Sequence, residues 1–317
     1  MFEERIVKKE EFSFRSTSDV CNIRGVRYVP DEEPKAILQI AHGMQEFIDR
    51  YDDFAAYMVS KGYLVVGNDH LGHGESVNST EDWGYFADQN GNKAVLDDLH
   101  EVTRITKEMY PNKPYFLLGH SMGSFYARQY LCEYGNELNA AIIMGTGFKP
   151  KIVAEMGMLV CRIIALFKGW HYRSTLVNNM AFGSYNKHFE PARTRVDWLT
   201  KDEKIVDWYL NEPKCSFSFT LNGYYNMFRG IAKLRDKNLL EKAPKELPVL
   251  FVSGKEDPVG SFGKDVEAAA NSLKDVGMHE IELKLYPDDR HEILNELDKK
   301  QVYEDLYTWL EKKLKIR

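Results

Sequence analysis

Between Ala36 and Met144 the chain repeats one pattern, a short apolar run followed by a longer stretch with apolar residues at helical spacing. Ala36–Ile40, Tyr63–Asn68, Tyr115–Leu118 and Ala140–Met144 are compact apolar runs of strand length. Tyr51, Phe54, Ala55 and Met58 recur at helical spacing after the first, and Val95, Leu99, Val102 and Met109 mark a long helix stopped by Pro111. Strands that are apolar throughout are buried on both faces, so the helices between them must cover both sides of a mostly parallel sheet. Glu11–Arg15 and Cys21–Tyr28 read as an antiparallel opening pair. Beyond Pro248 come a strand to Ser253, a helix near Asp265–Val276 and a strand over Glu280–Tyr286. A last helix carries Val302, Leu306, Trp309, Leu310 and Leu314 on one face. The expected fold class is α/β, and sheets of this kind bind ligands beyond the carboxyl ends of their strands.

The alternation stops at about Phe148 and resumes at Pro248. The intervening segment is helical and rich in aromatics, so a cap over residues 148–236 is expected as an insertion into a core made of 1–147 and 237–317. Its first part, Ile152 to Phe167, is apolar nearly all round, with Glu155 and Arg162 leaving one narrow polar stripe. Two readings stand: a helix packed over the core, or a greasy lid face open to an acyl chain or a lipid surface.

At 317 residues the chain can bury a large core, and 28% charged with 44% hydrophobic residues is ordinary for a globular protein. A net charge of −6 argues against a nucleic-acid partner. Cys21, Cys132, Cys161 and Cys215 lie far apart without metal-type spacing and read as reduced, which implies a cytoplasmic protein. Met1 to Glu10 holds no apolar h-region, so no signal peptide is expected, and no run is long enough for a membrane span.

The strand Tyr115–Leu118 runs into Gly119-His120-Ser121-Met122-Gly123, and a helix-like segment follows. A serine on a sharp strand-to-helix turn is strained, and glycines two residues either side remove the Cβ atoms that would collide there. Its hydroxyl is a poor nucleophile until a base takes its proton, and that base needs an orienting group. In chain order the acid and then the histidine follow the serine. Of nine histidines, His171, His188, His279 and His291 lie after Ser121. The first two fall in the inserted segment, away from the predicted strand ends, and His279 precedes the final strand. His291 follows that strand, at the carboxyl end of the sheet. The acid should leave the preceding strand, where Glu256 and Asp257 are candidates. Asp257 is preferred because Pro258 can fix the turn that aims it. An oxyanion hole needs two backbone N–H donors: Met122, after the serine, and Met44, in the loop His42-Gly43-Met44 after an earlier strand. Asp69, His70 and His73 match no trusted zinc spacing and read as a structural loop, so no metal is expected.

The chain resembles α/β-hydrolases of the monoacylglycerol lipase and lysophospholipase-like group, which is related to the serine aminopeptidases. His42-Gly-Met with Arg50-Tyr51, Asp69-His-x-Gly-His-Gly-x-Ser76, Gly119-His-Ser-Met-Gly123, and Asp257-Pro with Arg290-His291-Glu292 carry the resemblance in order. It implies an α/β-hydrolase fold with a cap inserted between two late strands, Ser121, Asp257 and His291 as a triad, and Met44 and Met122 as oxyanion donors. It also implies hydrolysis of carboxylic esters, foremost single-chain lipids, through an acyl-enzyme and without a cofactor. An aminopeptidase or amidase with the same triad, acyl transfer to an alcohol, and a non-catalytic binding protein are the rivals. The expected partner is a small ester or lipid, with transient lipid-surface contact through the cap. The sequence leaves the oligomeric state open.

Overall fold

In the computed structural model, residues 7–315 are described. Met1–Ile6, where part of the signal-peptide expectation falls, and Ile316–Arg317 lie outside them. The opening strands β1 (Lys8–Arg15) and β2 (Asn22–Val29) pair antiparallel, and β2 continues antiparallel onto β4 (Tyr63–Asn68). β3 (Ala36–Ala41) lies between β4 and β5 (Tyr115–His120), and β6 (Ala140–Met144), β7 (Val249–Gly254) and β8 (Ile281–Tyr286) follow in parallel. The order across the sheet is β1-β2-β4-β3-β5-β6-β7-β8.

The five central strands, β3 to β7, are buried along their whole length, as their apolar runs require. Successive residues point to opposite faces, and each face has its own helices. Ile37, Leu117, Ile143 and Phe251 pack under α2 (Gly91–Met109), α3 (Met122–Tyr134) and α9 (Lys264–Lys274). Leu38, Phe116, Ile142 and Val252 pack under α1 (Asp52–Ser60) and α10 (Lys299–Leu314). The outer strand β8 exposes Glu282 and Lys284, charges that discourage another strand from pairing with that edge.

Between β6 and β7 the chain forms α4 (Lys151–Lys168), α5 (Thr175–Phe182), α6 (Glu203–Asn211) and α7 (Leu221–Lys233), then the short α8 (Lys237–Leu240). The helix α4 leaves most of its apolar surface uncovered. It buries only Ala154, Gly157 and Cys161, a stripe of small residues, and a Cβ added to Gly157 would lie 2.8 Å from the Phe228 ring of α7. Ile152, Val153, Met156, Leu159, Ile163, Leu166 and Phe167 face outward. Most of the apolar surface of α4 therefore does not cover the core. Among the described residues no helix is long and apolar enough to cross a membrane.

The chain winds from β3 to β4 on one side and returns to β5 on the other. This reversal opens a crevice beyond the carboxyl ends of β3 and β5. Register sets what meets there: Ala41 pairs with Gly119, so the residues just beyond each come side by side.

Candidate active site

Ser121 stands between β5 and α3 at φ 52° and ψ −119°. A non-glycine residue in that region carries about 1–3 kcal/mol of strain, which the surroundings must over-determine. They do so through the main chain. Ser121 N–H donates to the Met144 carbonyl at 3.0 Å, and its own carbonyl accepts from Ser124 N–H at 2.9 Å. A Cβ on Gly123 would lie 2.0 Å from the Ala41 carbonyl oxygen, and one on Gly119 would lie 2.4 Å from the Gly123 carbonyl oxygen. Both positions exclude any side chain. Ser121 itself is half-buried.

The turn after β7 holds Asp257 fully buried. Ser253 Oγ donates to its Oδ2 at 2.9 Å and Val259 N–H to its Oδ1 at 2.8 Å. His291 Nδ1 lies 3.0 Å from Oδ2, in contact but without the alignment of a full hydrogen bond. Burial pushes the Asp257 carboxyl up, yet the imidazole with the Ser253 and Val259 donors outweighs it and holds the group below its ordinary range. A carboxylate facing Nδ1 assigns the proton to that nitrogen and leaves Nε2 as the basic one. Glu256, the other acid of the turn, faces away, with Oε2 2.9 Å from His188 Nε2. His188 therefore lies over the exit of β7, although the order of elements had put it away from the strand ends.

The loop after β3 passes beside the serine, where a Cβ on Gly43 would come within 3.0 Å of Ser121 Cβ. His70 N–H donates to His42 Nε2 at 2.9 Å, so the His42 proton sits on Nδ1 and is donated to the Gly43 carbonyl at 2.7 Å. In a trans peptide the carbonyl and the following N–H point opposite ways, so Met44 N–H faces away from the His42 ring. Met122 opens α3, where N–H groups have no intrahelical partner. Among the described residues neither Met44 N–H nor Met122 N–H donates to a loop carbonyl.

Asp69, His70 and His73 are structural neighbours of that loop. Asp69 accepts from Ile48 N–H and Glu75 N–H, both at 2.9 Å. His70 and His73 lie 4.1 and 5.2 Å, ring to ring, from His42. No group of His, Cys, Asp and Glu among the described residues has the arrangement of a metal site.

A family model described as serine aminopeptidase, S33 matches residues 32–298. The chain belongs to this family. The monoacylglycerol lipase of Mycolicibacterium smegmatis is 26% identical over 306 residues, covering 94% of this chain and 98% of that protein. The monoglyceride lipase homolog of Monkeypox virus is 26% identical over 297 residues, covering 90% and 93%. A thermostable carboxyl esterase from Bacillus coagulans, solved with glycerol, superposes with a TM-score of 0.89 at 29% identity, over 96% of this chain and 99% of that one. A soluble variant of Saccharomyces cerevisiae monoglyceride lipase shares the fold, with a TM-score of 0.77 at 20% identity over 99% and 97%. The architecture is the α/β-hydrolase fold.

Beside Ser121 and His291 lies a buried charge cluster that the sequence did not reveal. Arg50 holds Glu292 through two parallel bonds of 2.8 Å and Glu46 through one of 2.9 Å. Glu46 also accepts from Gly43 N–H at 3.0 Å and from Tyr51 Oη at 2.8 Å, and it lies 3.4 Å from His120 Nδ1. The side chains of Arg50, Glu46 and Glu292 are 3%, 5% and 2% exposed, so none is shielded by water. Burial works against protonation of His120, but Glu46 and Glu292 outweigh it and raise its pKa. The cluster thus ties the loop after β3, the residue before Ser121 and the residue after His291 into one unit. Arg50-Tyr51 and Glu292 were visible as family residues, but 242 positions separate Arg50 from Glu292 and no local spacing links them.

Arg50→Met leaves two buried carboxylates without their cation, and urea unfolding should show a loss of about 3–5 kcal/mol. Acid should act through the histidines. Burial, aided for His73 by its neighbour His70, lowers their pKa values to about 4 for His70 and about 3 for His73. An unfolded imidazole titrates near 6.5, so their contribution is intact above that pH and is lost as the pH falls toward the folded values. Each group should take away about 1.4 kcal/mol per pH unit in this window. Urea midpoints measured from pH 7 to pH 4 should fall, and His73→Phe should flatten the slope.

Proposed function

We propose that the protein is a serine hydrolase of carboxylic esters, acting on single-chain lipids such as monoacylglycerols or lysophospholipids. The observation that carries this reading is the buried Asp257–His291 pair at the strand ends beside the strained Ser121 turn. Ser121 Oγ attacks the ester carbonyl while His291 Nε2 takes its proton. Met44 and Met122 N–H receive the developing oxyanion. His291 then passes the proton to the departing alcohol, and an acyl-enzyme remains. Water, deprotonated by His291, releases the acid. Asp257 stabilises the imidazolium and stays ionised throughout. No step calls for a metal or a cofactor.

An apolar wall beside the histidine supports lipid over peptide substrates. The Trp198 ring is 5.1 Å from the His291 ring, and Phe182 and Tyr185 pack on Trp198 at 6.3 and 5.0 Å. These side chains belong to the segment between β6 and β7, which we read as a cap over residues 148–236. The names of the relatives, lipases and an esterase, favour ester over amide hydrolysis. Leu166 and Phe167 are 81% and 82% exposed at the end of α4, and Leu176 and Met180 of α5 are exposed as well. Exposed apolar residues of this kind suit transient contact with a lipid surface. Four free, buried cysteines support a cytoplasmic setting.

Ser121→Ala should lower ester hydrolysis by about 10⁴-fold or more. Wild-type protein should prefer p-nitrophenyl esters of longer acyl chains to aminoacyl p-nitroanilides. Full activity in the alanine variant, or preference for the anilides, would overturn the reading. Leu166→Glu with Phe167→Glu should reduce hydrolysis of emulsified long-chain monoacylglycerol several-fold relative to a dissolved short-chain ester. An unchanged ratio would remove the lipid-surface role.

A further inference from the structure

Gln45 holds a left-handed backbone, at φ 57°, directly after Met44 in the loop that passes Ser121. Glycine enters that region freely, and asparagine and aspartate are the usual exceptions among the other residues. A glutamine there carries strain, which persists only where the surroundings over-determine it. Its own side chain supplies the restraint. Gln45 is half-buried, and its Nε2 donates to the Phe217 carbonyl, 172 positions further along the chain.

Phe217 is a firm anchor. It lies in the inserted segment between α6 and α7, and its ring stacks on Trp83 at 5.7 Å and on Phe219 at 5.9 Å. It also meets the His73 ring at 5.9 Å, and His73 in turn lies 5.2 Å from His42. Trp83 is fixed by its Nε1, which donates to the Gly74 carbonyl at 2.9 Å. Thr220 Oγ1 donates to the Gly84 carbonyl at 2.7 Å, so the stretch before α7 is bonded to the core. Met44 therefore sits between two ties of different origin. On one side Glu46 accepts from Gly43 N–H at 3.0 Å and belongs to the charge cluster of the core. On the other side Gln45 reaches across to the inserted segment. With Gly43 and Glu46 both held, any relaxation of the Gln45 backbone has to be absorbed at Met44, and that re-aims the Met44 N–H.

We propose that Gln45 is a positioning residue for the oxyanion hole, its bond to Phe217 holding the strained turn that aims the Met44 N–H. The inference rests on the proposed role of Met44 as an oxyanion donor and adds a dependence to it. The donor is aimed only while the stretch before α7 is docked, so the inserted segment contributes to the chemical step as well as to the fit of the substrate.

The test is Gln45→Gly in the full chain, because glycine accepts the left-handed backbone without strain and the substitution removes the tether. Gln45→Glu carries the test if the glycine variant does not fold, since a carboxylate cannot donate to the Phe217 carbonyl. With a dissolved short-chain p-nitrophenyl ester, kcat should fall about 10-fold in either variant while KM stays within about 2-fold. The rate at which a fluorophosphonate labels Ser121 should fall in step with kcat. So should the affinity for a trifluoromethyl ketone, since both reagents place an oxygen in the hole. A glutamine that served the fold alone would lower the Tm of the variants and leave kcat and the labelling rate at wild-type values. That result would overturn the proposal. A wild type that labels at Ser121 but hydrolyses no ester would overturn the ester reading alone, and the labelling rates then decide the role of Gln45. A wild type inert to the phosphonate would overturn both.

Discussion

The bidentate bond between Arg50 and Glu292 is the contact on which the geometry above it depends. Arg50 lies just ahead of α1 and Glu292 lies after β8, so this one pair joins segments 242 positions apart. Glu46 joins them and turns back to hold Gly43 N–H, while its other neighbours are Tyr51 and His120. Three segments that must agree in position are thereby fixed to a single charged unit. In water such pairs contribute little, but here the partners are dry, and each would be costly to leave alone. His120 is part of the balance: two carboxylates and one guanidinium leave an excess of negative charge, which raises the pKa of the imidazole against its burial.

That cluster explains how a strained serine can be kept where it is. Backbone strain persists only where neighbouring bonds leave no relaxed alternative. At Ser121 those restraints come from the Met144 carbonyl below, from Ser124 ahead, and from the Ala41–His42 backbone against Gly123. The loop after β3 is in turn locked by His42, whose imidazole is kept neutral by burial and by His70 and His73. The Asp69–Ser76 loop therefore serves as packing for the loop that passes the serine.

The sheet and the helices that cover it were legible because the five central strands are apolar along their length and those helices carry a 3.6-residue period. Asp257 and His291 were chosen from where strands end, which is a local matter, and the structure brings them within 3.0 Å of each other. Three features were beyond that reach. The charge cluster joins residues that meet only once the sheet has formed. His188 reaches Glu256 because the inserted segment folds back over β7, and nothing in its own spacing says so. The outward face of α4 was ambiguous because an all-round apolar helix has no preferred side. The small residues Ala154, Gly157 and Cys161 decided which side approached α7.

The inserted segment is fastened to the core very unevenly. Its stretch from Asp197 to Lys201 is bonded directly to the His291 loop: Trp198 and Leu199 carbonyls accept from His291 and Glu292 N–H, and Lys201 N–H donates to Glu296. The helix α4, by contrast, packs through Ala154, Gly157 and Cys161, with Val160 and Ile164 partly buried beside them, and has no bond to the His291 loop among the described residues. The inner stretch cannot change without moving the histidine, whereas the outer helix can be rewritten residue by residue while the loops beneath stay still. A change on the outward face of α4 therefore reaches none of the bonds that hold the His291 loop, whereas a change between Asp197 and Lys201 acts on that loop directly.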